Sequence, residues 1–312
     1  MGIVSNSLNL DKKCLEVARK QFCLDIGLTW EDYGKNREKR VLIQKATYVP
    51  GTTDVAGEGA RNYAGRNSFF RAIICLGQLF ICCDESIYDW VVEQYEDCRP
   101  EWFCNYRRLR KLDEKLREYG HEIYDTHIYF LPEAGSISEY GTDESETSNI
   151  SEADTKVSVD TQEYVWYEQE EILQFKENNR FTNALSFWEG QPDVLAVAAM
   201  RNEWQVDPIS TADQEMVAEK QGKDFDQSHM CGMAGVSQDG EYLWQIGINV
   251  DKDHAGQGLG NRLVRILKEE VLHRGKVPFY GTSESHTLSQ TVGLKAGFVP
   301  AWTEVYVREI KE

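Results

Sequence analysis

The sequence predicts an α+β protein in two parts, joined by a segment unable to hold a core. From residue 163 to the end, segments of strand period alternate with segments of helical period. Residues 1–135 show a helix, a hairpin, two further helices and a strand, making a smaller α+β domain. Between Glu133 and Glu163 lie nine acidic residues, counting both ends, against one basic residue, Lys156, with many Ser and Thr. Such a composition buries too little apolar surface to offset chain ordering, so 136–162 is expected to be a linker or mobile loop.

The elements of the first part follow from spacing and punctuation. Leu15, Val17, Ala18, Phe22 and Ile26 recur at helical intervals within Leu10–Ile26. Arg40–Val49 has strand character. Gly51–Arg66 holds four glycines and no period, which suits a surface loop better than a second phosphate site. Phe69–Cys75 and Leu79–Cys83 flank Gly77-Gln78 and predict a hairpin. Ile87–Tyr95 and Glu101–Tyr119 are helical in pattern, the second with a basic face of Arg107, Arg108, Arg110 and Lys111. His121–Leu131 predicts a strand ended by Pro132.

In the second part, Val194–Ala199, Met230–Val236 and Tyr242–Val250 predict strands. Leu259, Leu263, Ile266, Leu267 and Val271 form one apolar stripe of a helix, with His273 and Arg274 in its last turn and Gly275 as its stop. Val277–Gly281 predicts a strand, Ser285–Ala296 a helix capped by Ser283 or Ser285, and Trp302–Val307 a final strand.

The most chemically specific feature is His254-Ala-Gly-Gln-Gly-Leu-Gly260, between a strand and a helix. Backbone N–H groups at a helix N-terminus bind anions, above all phosphate. Gly256, Gly258 and Gly260 can take positive φ and lack a Cβ, so a ligand can approach the main chain closely. A Walker loop needs Gly-Lys-Ser/Thr, but Asn261-Arg262 follows Gly260. A dinucleotide fingerprint needs a third glycine at 261, which is Asn. A plain glycine-rich turn is the remaining alternative to a third anion-binding pattern.

That pattern is Arg/Gln-x-x-Gly-x-Gly/Ala, matched by Ala255-Gly256-Gln257-Gly258-Leu259-Gly260 except at Ala255. With the strand and helix order around it, and with His286, Ser289 and Gly297-Phe298 at matching spacing, the C-terminal half resembles the GNAT N-acetyltransferases. The resemblance implies an α/β-type core: a mixed, mostly antiparallel sheet flanked by helices on both faces, spanning 163–312. It implies acetyl-CoA as cofactor. Main-chain groups of Ile248, Asn249 and Val250 would hold the pantetheine arm. The loop of Ala255, Gly256, Gln257, Gly258, Leu259, Gly260 and Asn261 would hold the pyrophosphate, and Ser289 would lie near the thiol. In the family the strands matching Val194–Ala199 and Met230–Val236 meet in a tight turn, so residues 203–228 are an insertion, helical in pattern at Thr211–Gln221. The tyrosine that many members place four residues before Gly-Phe is Gly293 here. The catalytic acid and base are therefore unassigned, with Glu241 and Glu284 as base candidates. Gln245, Gly247 and Asn249 share one strand face and are expected to line the acceptor cleft. The N-terminal part loosely resembles half of such a domain.

Function then divides into two classes. The first is an N-acetyltransferase acting on a primary amine of a small molecule or protein. The second is a non-catalytic acyl-CoA-binding protein with a regulatory or scaffolding role. A net charge of −18 argues against nucleic acid and suits a cationic amine. No apolar run reaches the ~18 residues of a membrane span, and no signal sequence is evident. Eight cysteines without C-x-x-C spacing fit a reducing cytoplasm and no metal. A homodimer is one oligomeric form the sequence allows.

Overall fold

A computed structural model describes residues 9–47, 59–61, 69–135, 163–177, 179–188, 190–201 and 227–311. The acidic segment 136–162, nearly all of the 203–228 insertion with its helical pattern, and most of Gly51–Arg66 lie outside the described residues.

The first part begins with α1 (Lys12–Ile26) and α2 (Trp30–Lys35), followed by β1 (Val41–Lys45). Next come β2 (Phe70–Cys75) and β3 (Gln78–Cys83). The turn between them has Leu76 at φ 44° and Gly77 at φ 81°. Two consecutive positive φ values twist a two-residue turn to match paired strands. Then follow α3 (Glu85–Tyr95), α4 (Tyr106–Arg117) and β4 (His121–Pro132).

The second part opens with β5 (Glu163–Glu168), the short α5 (Gln169–Ile172) and two 3-10 turns, Leu173–Phe175 and Asn179–Phe181. Strands β6 (Asp193–Met200), β7 (Met230–Gln238) and β8 (Leu243–Val250) lead to α6 (Leu259–His273). The chain continues through β9 (Val277–Ser283), α7 (Thr287–Lys295) and β10 (Phe298–Glu309).

All ten strands form one sheet, in the order β1-β3-β2-β10-β4-β9-β8-β7-β6-β5. Among the described residues, only the β1/β3 and β8/β9 pairs are parallel. The sheet is thus mixed and mostly antiparallel, with helices on both faces. It runs without a break through both parts of the chain. Strand β4, from the first part, lies between β10 and β9 of the second. Strand β10 in turn pairs with β2 of the first part.

One face is covered by α1 and α2, which bury Phe22, Ile26 and Tyr33 against Phe80, Tyr129, Leu243, Phe279 and Trp302. Because Leu243 and Phe279 belong to the second part, this core also spans both. On the same face α5 and its following turns pack Phe175 and Phe181 on β6 and β7. The opposite face carries α3 and α4 over β2 and β3 and α6 over β6–β9.

A buried ionic cluster ties the same regions together. The Arg61 guanidinium lies 2.6 Å from Asp25 of α1 and 2.6 Å from Glu304 of β10, all three side chains fully buried. Arg71 of β2 donates to the Arg61 carbonyl and sits 3.5 Å from Glu304. Trp302 donates to Glu304 through its indole N–H. Each charge is compensated, as burial requires.

No helix among the described residues is long and apolar enough to cross a membrane.

Candidate functional site

The site is organised by a parting of strands. β8 and β9 pair in parallel only from Leu243↔Val277 to Ile246↔Tyr280. Beyond that point β8 stays paired with β7 through Val250, while β9 pairs with β4 at Gly281↔Tyr129 and His127↔Ser283. The sheet therefore opens as a wedge between Gly247–Val250 and Gly281–Ser283. The β8 edge inside the wedge carries main-chain donors and acceptors not taken by β9.

The glycine loop stands at the outer end of this wedge. Gly256 and Gly258 have φ values of 78° and 83°. A Cβ at either would meet nothing within 4 Å. Open space above a left-handed backbone is what a close-lying ligand needs. Gly260 lies inside α6 and is not among the glycines of positive φ. Its absent Cβ would make only normal contact, 3.6 Å, with Val250. The Gln257 side chain donates to the Asp253 carbonyl and braces the loop.

Side chains close the N-termini of four helices, whereas α6, like α7 below, begins without one. α1, α2, α3 and α4 each begin on a side chain that accepts their first N–H groups: Asp11, Thr29, Asp84 and Asn105. α6 begins on Gly258, with no side-chain acceptor. The N–H groups of Leu259, Gly260 and Asn261 have no carbonyl of their own helix to bond. They carry the positive end of the helix dipole. Phosphate oxygens fit this cradle, so the residues present suit the pyrophosphate of CoA.

The helix after β9 flanks the wedge on the same side. α7 does not use Ser283 or Ser285 as its cap. The N-cap residue is His286, with no side-chain bond. The cause is that Ser283 is held in β9, where its carbonyl accepts from His286 N–H. The Ser289 hydroxyl is 2.7 Å from the Tyr280 hydroxyl. Gly293, four residues on, leaves room for the Tyr280 ring: a Cβ there would lie 3.0 Å from Tyr280 Cδ1. Val292 and Val250 both approach Gly260, so β8, α6 and α7 converge at the loop.

The face with Gln245, Gly247 and Asn249 differs from expectation. Asn249 Oδ1 accepts from the N–H groups of Asn183 and Ala184, both at 2.8 Å. The Asn183 carbonyl sits where a Cβ of Gly247 would be, 1.8 Å away. Gly235 of β7 is overlain in the same way by Ala184. The segment around 181–185 thus lies flat on the sheet over three small or committed positions, and of the three expected cleft residues only Gln245 escapes it. Arg180 fixes the segment further by pairing with Asp251, just before the loop, and by donating to the Gln227 carbonyl.

The other wall of this face comes from β4, which sequence reasoning did not connect with the site. The Tyr129 ring lies over Gly281, where a Cβ would come within 2.4 Å of it. Gln245 Nε2 is 3.5 Å from the same point. The Tyr129 and Tyr306 hydroxyls share a hydrogen bond. His127 stacks toward Tyr129, meets the Tyr306 ring edge-on, and has Nδ1 3.6 Å from an Asp125 carboxylate oxygen. Glu284, at the end of β9, accepts from the Thr126 hydroxyl at 2.8 Å. Glu241 lies at the other, closed end of the pair, beside Gly59, and does not reach the wedge. No contiguous motif could have signalled His127 or Tyr129, because their neighbours in sequence face elsewhere. Tyr280 was legible only as a strand residue.

Residues 155–298 match the Acetyltransferase (GNAT) family. No curated protein matches the chain significantly. Among solved structures, it is similar to a GNAT-family protein from Novosphingobium aromaticivorans, at 13% identity and a TM-score of 0.34, covering 61% of this chain and 68% of that one. An acetyltransferase of the GNAT family from Colwellia psychrerythraea matches at 11% identity and TM-score 0.30, over 60% of this chain and 56% of that one. A GCN5-related N-acetyltransferase-like protein from Streptococcus suis matches at 10% identity and TM-score 0.38, over 80% and 89%.

Proposed function

From a C-terminal half that is a GNAT-family domain, we propose that this chain is an acetyl-CoA-dependent N-acetyltransferase acting on a primary amine of a small molecule or protein. The observation that carries this reading is the wedge between β8 and β9, opening beside the uncapped N-terminus of α6. Acetyl-CoA supplies an activated thioester carbonyl. Gly256–Asn261 hold the pyrophosphate, and the free edge at Ile248, Asn249 and Val250 bonds the pantetheine arm through main-chain groups.

The amine enters from the α1 face, between the Asn183 wall and the Tyr129 wall. It must lose a proton before attack. We assign that proton to His127, whose Nδ1 faces an Asp125 carboxylate oxygen at 3.6 Å and whose imidazole is the side-chain type best suited to proton transfer near neutral pH. The Asp125 carboxylate favours a cationic amine on this side. The eight free cysteines accord with the cytoplasm as the compartment.

Isothermal titration with acetyl-CoA tests the cofactor reading. The wild type is expected to bind, and Gly258→Trp to lose at least about a hundredfold in affinity, because a bulky residue fills the cradle and strains a left-handed position. Unchanged affinity in that variant removes the loop from the binding site.

A second reading, a non-catalytic acyl-CoA-binding protein, is favoured by Gly293 and Ala255, where the family's usual residues are absent. Thiol release from acetyl-CoA with a panel of primary amines separates the two. Tight binding without amine-dependent release supports the second.

A further inference from the structure

Cleavage of a thioester leaves a thiolate, which needs a proton donor. At the residue where the conventional tyrosine would stand, this chain has Gly293, so the proton must come from another group. Tyr280 is the last β9 residue paired with β8. Its ring occupies the space that Gly293 leaves open. A Cβ at 293 would lie 3.0 Å from Tyr280 Cδ1, so the ring would have to give by a few tenths of an ångström. The phenol is buried among Phe130 and Phe298, and its hydroxyl reaches 2.7 Å to Ser289 on α7. Ser289 is itself only half-buried, one turn before Val292, which converges with Val250 on the N-terminus of α6.

Resting on the acetyltransferase reading, we infer that the Tyr280–Ser289 hydroxyl pair is the proton donor to the leaving sulfur, with Ser289 touching the sulfur and Tyr280 positioned behind it. Ser289 gives its proton to sulfur as the carbon–sulfur bond breaks and the bonding electron pair stays on sulfur. Tyr280 passes its own proton to the Ser289 oxygen in the same motion. Solvent returns a proton to Tyr280 through the half-buried Ser289 hydroxyl, and the amine's proton departs by the opposite face, so one proton enters and one leaves per turnover. Burial pushes the Tyr280 hydroxyl above its usual range, against a smaller opposite effect of the bond to Ser289. The pair is therefore neutral and able to donate at physiological pH.

Calorimetric titrations of CoA and desulfo-CoA test the contact with sulfur directly. The wild type is expected to prefer CoA by roughly tenfold, the effect of about one hydrogen bond. Ser289→Ala is expected to erase that preference, and Tyr280→Phe to reduce it, while desulfo-CoA binds all three proteins equally. In steady-state assays both variants are expected to lose roughly a hundredfold in kcat, with KM for acetyl-CoA within about twofold. Retained preference for CoA in both variants overturns the inference, as does an equal loss of desulfo-CoA affinity, which would mean the hydroxyls only shape the wedge. Variants that lose the preference beside a wild type that transfers no acetyl group also overturn proton donation. A wild type that binds neither ligand overturns the cofactor reading itself, and this inference with it.

Discussion

The two faces of the sheet at the wedge are built by different means. On the α6/α7 face, the loop of 254–260 and the helix ending at Gly297 lie within a single stretch of chain, and the glycines of the loop face open space. On the α1 face, the walls come from 181–185, from β4 and from β10, and the glycines there are pressed against other atoms. Gly247 meets Asn183, and Gly281 meets Tyr129. Gly256 and Gly258 of the loop leave space open, and the glycines of the second face admit packing. The same residue type therefore predicts opposite consequences of substitution.

The largest effect is expected where the second face is anchored. Arg61→Ala leaves Asp25 and Glu304 buried without their main partner. Breaking a buried pair in this way costs about 3–5 kcal/mol, readable as a fall in the urea midpoint. Retained stability would detach the cluster from the fold.

Acid probes the same anchor without mutation. Burial by itself raises the Glu304 carboxyl, but Arg61 and Arg71 outweigh it and hold the group at about 2, below its ordinary 4.5. The folded state thus binds fewer protons than the unfolded one in that interval. Its stabilising contribution is complete above about pH 4.5 and is lost as pH falls toward 2. Urea midpoints measured from pH 6 to pH 2.5 should decline in the wild type through this window. Glu304→Gln should flatten that part of the curve.

Two identical substitutions sharpen the contrast. Gly247→Ala drives a methyl group into a main-chain carbonyl and is expected to cost about 3 kcal/mol, at the upper end of overpacking. Gly256→Ala meets no atom and pays only for its left-handed backbone, roughly 1–2 kcal/mol. It should nevertheless weaken acetyl-CoA binding, which calorimetry would register. Equal stability losses at the two sites would dissolve the distinction between the faces.

Legibility in the sequence followed the same division. The strand–loop–helix unit was readable because helical and strand periods change across a few glycines, and local chain geometry sets what those glycines do. Gly260 lies inside the first turn of α6 and is not among the glycines of positive φ. His127, Tyr129 and the 181–185 wall were not readable, because each acts only through a neighbour far along the chain. Gln245, Gly247 and Asn249 were correctly grouped on one strand face by alternation. Alternation gives no information on what covers that face, and Asn183 covers two of the three.

By itself the sequence determined the longer elements, the glycine-rich turn into α6 and the residue types at α7, while α2, β5 and α5 were not legible, since short elements carry too little local propensity, periodicity and capping. Only the tertiary structure decided that β4 enters the sheet between β9 and β10, which sets the wedge beside Tyr129 and His127. It also decided that Tyr280 fills the space vacated at Gly293. Both outcomes come from long-range strand pairing and close packing, in which a side chain's role depends on the atoms brought against it.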